Sequence, residues 1–318
     1  MKIKMMKKGQ FEFNWLFALI LGAVILFLAI FFATKLINTS SYQGSAEIVR
    51  EFDILLNPFA SVSAVGTITL AKEVSMPSDI LINISCSSDG LGKNGVSVSQ
   101  KSGSKYKGLT PEYAIYNKYI FGENLEGKEF YIFGMPFEMP FRIDDLIYVV
   151  SADYCFVDAP KKIRDDISIL NTSRIVSKDS TALCSPESKK ICFSDMGGCS
   201  MNIYCDDLGC EQGTVVKAGK VYFYKKSLMY AAVFSDVSLY RCNMKRLLAR
   251  AESISDIYQQ KSYRLAANCE MYGINNALAD FKSKIETVKS SLSPDPRTIS
   301  AEANRLDTEN SIARCPVY

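Results

Sequence analysis

The sequence predicts an α+β protein: a single N-terminal transmembrane helix, a disulfide-tied antiparallel β-rich ectodomain and a C-terminal three-helix antiparallel bundle. Three observations support this. Residues 15–33 carry no charge, all ten cysteines follow that stretch, and residues 236–318 repeat apolar positions at helical spacing. The predicted segments are a basic cytoplasmic leader (1–14), the transmembrane helix (15–34), a helical stalk (35–62), the β-rich ectodomain (63–235) and the helical bundle (236–318). The ectodomain includes a cysteine-rich segment at 184–210.

The apolar stretch is long enough to cross a membrane. It covers the 19 residues from Trp15 to Ala33, of which 13 are Leu, Ile, Phe or Val. A helix of that length spans about 28 Å, close to the hydrocarbon core of a bilayer. Together the large apolar residues favour insertion by about 4–8 kcal/mol. We therefore expect residues 15–34 to contact membrane lipid, and no second apolar run of this length follows.

The lysines around this stretch indicate its orientation. Lys2, Lys4, Lys7 and Lys8 precede it, whereas only Lys35 follows closely. Because positive residues stay on the cytoplasmic side, the N-terminus is predicted to be cytoplasmic and the C-terminal part extracytoplasmic. A cleaved secretory signal would have a shorter apolar core and a small-residue cleavage site. An uncleaved anchor is therefore the favoured fate, with cleavage as an alternative.

The segment KKGQFEF resembles the archaeal class III, or prepilin-type, signal. In that pattern a short basic leader ends in glycine and is cut before glutamine, here between Gly9 and Gln10. The resemblance implies a pilin-like assembly helix over residues 11–33. The pattern usually has Glu at the fifth mature position, where this chain has Asn14, with its acid at Glu12 instead. The whole chain also resembles uncharacterised, membrane-anchored exported proteins of archaea.

The ectodomain is predicted to begin with strands and to end with helices. Residues 64–158 contain short β-branched and aromatic runs separated by turn residues, and a short helix follows Pro160. The segments Gly213–Lys226 and Leu228–Phe234 are predicted to be further strands. Before the strands, Asn57-Pro58 ends the helical stalk. The Gly-rich segment GLGKNG precedes an alternating strand rather than a helix, which predicts a hairpin loop and no cofactor site.

The last eighty residues contain three apolar stripes with 4-3 spacing. The stripes run from Tyr240 to Leu265, from Ile274 to Leu292 and from Ile299 to Ala313, with Asp295 and Pro296 as the cap and first position before the third helix. Short connections between such helices predict an up-down-up bundle.

Ten cysteines on the exported side predict a disulfide framework. The candidates are Cys86, Cys155, Cys184, Cys192, Cys199, Cys205, Cys210, Cys242, Cys269 and Cys315. Helix lengths place Cys315 beside Cys269, and Cys242 is expected to pair with the β-rich part. Cys86 with Cys155 is a further candidate pair, and segment 184–210 is expected to hold two local disulfides and one long-range bridge. Zinc is disfavoured because the chain has no C-x-x-C pair and no histidine.

Composition excludes several classes of function. The chain has 37 basic and 34 acidic residues, and five of the basic and one of the acidic residues precede residue 36. The remainder of the chain therefore has 32 basic and 33 acidic groups. That near-neutral balance argues against a nucleic-acid partner. The absence of histidine excludes Ser-His-Asp, Cys-His and His-ligated metal sites. We therefore predict no catalytic residue, no cofactor and no enzymatic activity.

The predicted function is that of a single-pass cell-membrane protein acting as a cell-surface binding or envelope-structure module. Its partner would be an unidentified protein or glycan outside the cell, and sequons at Asn38, Asn83 and Asn171 are candidate N-glycosylation sites. One alternative is a pilin-like subunit processed at Gly9/Gln10, which would form a homo-oligomer through its N-terminal helix. A second alternative is a histidine-free extracytoplasmic hydrolase that uses a Ser-Lys or a carboxylate pair.

Overall fold

The computed structural model describes residues 13–60, 70–107 and 109–318, and in the first helix it describes side chains at 15–33 and from 50 onward. The helices are α1 (Phe13–Leu56), α2 (Lys161–Leu170), α3 (Lys226–Phe234), α4 (Val237–Leu265), α5 (Tyr272–Ser290) and α6 (Ser300–Ile312). The strands are β1 (Leu70–Ser87), β2 (Lys93–Ser102), β3 (Lys105–Lys107), β4 (Tyr113–Ile115), β5 (Tyr119–Phe121), β6 (Leu125–Glu138), β7 (Arg142–Val150), β8 (Tyr154–Val157), β9 (Ile175–Lys178), β10 (Lys189–Cys192), β11 (Met201–Cys205), β12 (Gln212–Val216) and β13 (Lys220–Tyr224). Short 3₁₀ helices lie at Pro58–Ala60, Thr181–Leu183 and Pro296–Ile299.

Helix α1 joins the apolar stretch to the globular region, which comprises residues 50–318. The helix has 44 residues, and a helix of that length is about 66 Å long. It ends at Leu56, directly before Asn57 and Pro58. Because proline disfavours the helical conformation of the residue before it, the chain turns at this point. The predicted end of the helix at Asn57-Pro58 is confirmed.

The first sheet has seven strands, in the order β3-β2-β1-β6-β7-β5 with β4 paired to β2. Its strand pairs are antiparallel except for β5 with β7. The GLGKNG segment turns between β1 and β2, where Gly90 and Gly92 have φ of 62° and 63°. A Cβ atom on Gly92 would lie 2.2 Å from the Ser87 carbonyl oxygen, so this turn needs glycine. The predicted hairpin loop is confirmed.

The second sheet has six strands, in the order β13-β12-β11-β10-β8-β9, and it is mixed. Strand β8 is parallel to β9 and β10, and β10 is parallel to β11, whereas β11, β12 and β13 are antiparallel. The prediction of an antiparallel β-rich region is therefore wrong for this part. The reason is the crossover through α2, which buries Ile163, Ile167 and Leu170 and returns the chain to start β9 beside β8.

Helix α3 occupies a segment that was predicted to be a strand. Its residues from Ser227 to Phe234 are all buried, and it contacts β6 and β7 of the first sheet and β12 and β13 of the second. A helix enclosed on all sides needs no polar face, so its sequence lacks helical periodicity. A short apolar run of this kind cannot be distinguished from a buried strand by pattern, and the strand prediction for Leu228–Phe234 is wrong.

Three further helices lie at the C-terminus, as predicted. The Asp236 side chain caps α4 by accepting a hydrogen bond of 2.8 Å from the Leu239 amide. Asp295 likewise accepts from the Arg297 amide at 3.1 Å, with Pro296 at the first position of a 3₁₀ turn that leads into α6. Helix α5 packs against both α4 and α6. The chain is thus a mixed α+β protein with an N-terminal apolar helix, two sheets and several C-terminal helices.

The hydrophobic core lies on both faces of the first sheet. Along β6 and β7 alternate side chains point to opposite faces, and Phe133 and Tyr148 contact a large cluster that includes α3, α4, α5, α6 and the second sheet. Their neighbours Ile132 and Ile147 belong to a second cluster on the other face, which includes the end of α1. Burial on both faces explains the nearly continuous apolar runs in these strands.

Five disulfides join all ten cysteines. The pairs are Cys86–Cys242, Cys155–Cys184, Cys192–Cys199, Cys205–Cys210 and Cys269–Cys315. The last pair is the one that the helix lengths predicted. The cysteine-rich segment contains two local disulfides, and its Cys184 bonds Cys155, which lies 29 positions away, also as predicted.

The suggested Cys86–Cys155 link is wrong. Cys86 lies near the end of β1 in the first sheet, whereas Cys155 lies in β8 of the second sheet. Cys86 instead bonds Cys242 in the first turns of α4, with a Cα–Cα distance of 6.0 Å. One residue further along α4, the Asn243 side chain donates a 2.9 Å hydrogen bond to the Ile120 carbonyl of β5. These links attach α4 to the first sheet.

Candidate functional site

The most conspicuous exposed surface is the N-terminal half of α1. Every residue from Trp15 to Ala33 is exposed, and the helix is long and apolar enough at this point to cross a membrane. Soluble proteins rarely expose a contiguous apolar patch of more than a few hundred Å². This segment therefore needs an apolar environment, and it is the candidate functional site of the protein.

The other end of α1 is part of the hydrophobic core. Phe52 and Leu56 are fully buried, and they pack with Phe59 on the outer face of the first sheet. Ile54, on the opposite side of the helix, is exposed. The last turns of α1 are therefore fixed to the globular region by apolar packing, with each buried side chain contributing about 1.5–3 kcal/mol.

An ion pair also fixes this end of α1. Lys118, in the loop between β4 and β5, is buried, and its ammonium bonds the Asp53 carboxylate. The same ammonium donates a 2.9 Å hydrogen bond to the Asp53 carbonyl oxygen. Because the two bonds reach both the side chain and the backbone of one residue, Lys118 holds the helix end in a single position.

Replacing Lys118 with methionine is expected to loosen the end of α1. Loss of a charge-assisted hydrogen bond costs about 1.5–3 kcal/mol, and we expect amide exchange at residues 52–56 to quicken by about 10- to 100-fold. Hydrogen exchange with mass spectrometry measures this. Lys101→Met is the matched control, since its 4.0 Å contact with Asp79 is exposed to solvent. Equal exchange in both variants would contradict a role of Lys118 in docking the helix.

A cleft of about 590 Å³ lies where both sheets meet the start of α4. Two lysines line it: Lys189, at the start of β10, and Lys217, in the turn between β12 and β13. Both approach the same carboxylate oxygen of Glu123, at 3.6 Å and 3.9 Å from their Nζ atoms. The Lys217 ammonium also bonds the Ser235 carbonyl oxygen.

The pKa of Lys217 differs from that of an ordinary lysine. Burial lowers it to about 8, against the opposing effect of the Glu123 and Asp236 carboxylates. The nearby charge of Lys189 contributes to the lowering of this pKa. No sequence pattern singles out these residues, because a lysine in a hairpin turn is an ordinary surface feature. The cleft was therefore not predictable from the sequence.

Other clefts lie among the helices. One of about 250 Å³ is bordered by β6, α3 and α6 and contains Lys226, whose ammonium lies 2.7 Å from the Asp166 carboxylate. Burial raises the pKa of Asp166, while the bond to Lys226 opposes that rise. Another, of about 800 Å³, lies beside Cys269 and is lined by Tyr272 and other residues at the ends of α4, α5 and α6. Among the described residues, no group of three or more Cys, Asp or Glu side chains is placed to hold a metal ion.

The remaining candidate residues are dispersed. Asn83 is exposed on β1, and Asn171 is exposed at the C-terminal end of α2 in the left-handed conformation. Asn38 falls on α1, and its side chain lies outside the described part. Gly9 and Gln10 lie outside the described residues as well. The structure brings together only the cysteine pairs among the predicted site residues.

Comparison with protein-family models, with curated proteins and with solved structures finds no match for this chain. The chain's own geometry consists of an exposed apolar helix, its buried junction with the globular region, and five disulfides. Disulfides persist in oxidising compartments, which fits an extracytoplasmic location for the globular region.

Proposed function

We propose that this chain is a single-pass membrane protein that carries an extracytoplasmic module for cell-surface binding or envelope structure. Residues 15–34 contact lipid, the leader is cytoplasmic, and the module binds a protein or glycan outside the cell. The C-terminal helices form an antiparallel bundle within this module. The proposal includes no catalytic step.

One observation carries the proposal: α1 has an exposed apolar half and a buried last turn in one unbroken helix. A flexible linker would let the module rotate freely above the bilayer. A continuous helix restricts that rotation, because a helix kinks at few positions, of which the Gly44-Ser45 pair is the candidate in α1. A restricted orientation suits a protein that presents one surface to a partner or a neighbouring envelope component.

Membrane extraction and surface labelling test the proposal in cells that express the full chain with a C-terminal tag. We expect the protein to stay in the membrane pellet after alkaline carbonate washing and to be released by detergent. We also expect an antibody to reach the tag on intact cells, because the positive leader favours a cytoplasmic N-terminus. Release by carbonate, or tag exposure only after permeabilisation, would contradict the anchoring or the orientation.

A pilin-like subunit is the second candidate, and the same exposed apolar helix favours it. Nineteen exposed apolar residues on a helix projecting from a folded head form a surface that several copies can bury against one another. In this function a peptidase removes the leader between Gly9 and Gln10, as the class III resemblance implies.

Intact mass of the protein from native membranes, with and without reduction, distinguishes the two functions. A chain that starts at Met1 supports the anchor and contradicts the filament. A chain that starts at Gln10 supports processing, and the protein should then occur in sheared filaments. A start beyond residue 36 would contradict both.

A further inference from the structure

The cleft at the start of α4 holds a lysine in an unusual environment. The side chain of Lys217 is 7 % exposed, and its ammonium contacts the Ser235 carbonyl and a single carboxylate, that of Glu123. Lys189 approaches the same Glu123 oxygen, so one carboxylate is the ion-pair partner of two ammonium groups. The cleft that Lys217 lines, about 590 Å³, matches the size of small-molecule sites in proteins.

We propose that Lys217 is an amine nucleophile that condenses with a small aldehyde or ketone in this cleft. Its Nζ adds to the carbonyl carbon to form a carbinolamine, and the carbonyl oxygen then leaves as water. The C=O double bond is replaced by a C=N double bond, the two hydrogens of the neutral amine leave with the oxygen as water, and no electron donor or acceptor is needed. The product is an imine between the ligand and Lys217.

The neighbouring charges suit each stage of this condensation. The Glu123 carboxylate, 3.9 Å from Lys217 Nζ, is a base for the proton that the ammonium must lose before it can attack, and direct transfer requires the two groups to approach to about 3 Å. Lys189 supplies a second cation near the same carboxylate, and a lysine beside another cation in a desolvated site is an activated nucleophile. Hydrogen-bonding groups of Ser200 and Asn124 also line the cleft and suit a polar ligand.

The charge state of Lys217 supports the same conclusion. With a pKa of about 8, about half of its side chains are neutral at pH 8, compared with about one in 300 for an ordinary exposed lysine. Asp236, at the start of α4, and Glu123 favour the ammonium form, whereas burial and Lys189 oppose it. Burial is the largest of these effects, so the neutral amine prevails above that pH.

Reductive trapping in the full chain tests the proposal. The disulfide-intact protein in detergent is incubated with glyoxylate and sodium cyanoborohydride at pH 7, 8 and 9, and labelled lysines are mapped by peptide mass spectrometry. Lys161, whose side chain is 79 % exposed, is the internal reference. We expect Lys217 to be labelled at least ~10-fold faster than Lys161 at pH 7, with the ratio falling as pH rises.

The expected pH profiles also differ in shape. Labelling of Lys217 should level off above about pH 8, as its amine becomes fully neutral, whereas labelling of an ordinary exposed lysine still rises at pH 9. Labelling of Lys217 at or below the rate of Lys161 at every pH would overturn the proposal, since it would leave Lys217 a purely structural residue bonded to the Ser235 carbonyl.

Two matched variants test the environment. Lys189→Gln removes the neighbouring cation, and we expect at least a ~3-fold slower labelling of Lys217 at pH 7. Lys190→Gln changes the next residue on β10, whose side chain points to the opposite face, and should leave the rate unchanged. Equal rates in both variants would overturn the activating role of Lys189. The wild-type comparison decides the main proposal even if Lys189→Gln does not fold.

Discussion

Replacing Arg246 with alanine is expected to lower the free energy of unfolding by about 2–5 kcal/mol, through the cavity it opens and the hydrogen bonds it removes. This arginine of α4 is fully buried. It donates hydrogen bonds of 2.7 Å to the side-chain oxygens of Asn94 and Asn243 and of 3.2 Å to the Leu91 carbonyl. Its guanidinium lies 4.7 Å from the centre of the Tyr119 ring. Truncation would therefore remove the arginine donor from the buried Asn243 side-chain oxygen and open a cavity, whereas the Asn94 oxygen would keep its bond from the Ile120 amide.

Urea denaturation of the full chain in detergent, followed by circular dichroism, measures this change. Arg250→Ala is the matched control, since it lies one turn further along α4, is 40 % exposed, and contacts Asp144 at 3.9 Å. We expect the control to cost about 1 kcal/mol, because its side chain is half-exposed and its contact with Asp144 is long. A loss for Arg246→Ala no larger than that of the control would show that the buried contacts merely offset the desolvation of the charge.

Removing the Cys86–Cys242 disulfide by the double change Cys86→Ser and Cys242→Ser is the other large expected effect. The two cysteines are 156 positions apart. On the chain-entropy model, closing a loop of that length stabilises the folded state by about 5 kcal/mol. The disulfide also holds the first turns of α4 against β1, next to Asn243 and Arg246.

The Cys205–Cys210 pair provides the control, because it closes a loop with a separation of only 5. The same model assigns about 2 kcal/mol to that loop. We expect the Cys86/Cys242 variant to unfold at a lower urea concentration than a Cys205→Ser, Cys210→Ser variant under otherwise identical conditions. If the two variants unfold at the same midpoint, loop closure does not explain the stability conferred by these disulfides.

Sequence pattern succeeded where one physical property extends over many residues. The apolar helix was predictable because nineteen uncharged residues follow one another from Trp15 to Ala33. Helices α4, α5 and α6 were predictable because their stripes repeat with the helical period over several turns. The Cys269–Cys315 pair followed from those helix lengths, since both cysteines lie just beyond helix ends.

Pattern failed where the outcome depends on elements that are distant in the chain. Helix α3 is too short and too uniformly apolar to reveal its period, and its conformation is decided by the two sheets that enclose it. The parallel pairing of β8 with β9 depends on where α2 packs. Four-residue strands carry no mark of their direction.

The sequence by itself determined that this chain has an apolar segment suited to a membrane, that all ten cysteines lie on one side of that segment, and that histidine takes part in no site. These are properties of composition and of local order, and folding does not alter them. Only the tertiary structure decided that α1 ends inside the core at Phe52 and Leu56, that Arg246 is buried, and that Lys217 shares a carboxylate with Lys189. Burial and charge proximity arise from long-range packing, and the order of residues along the chain does not record them.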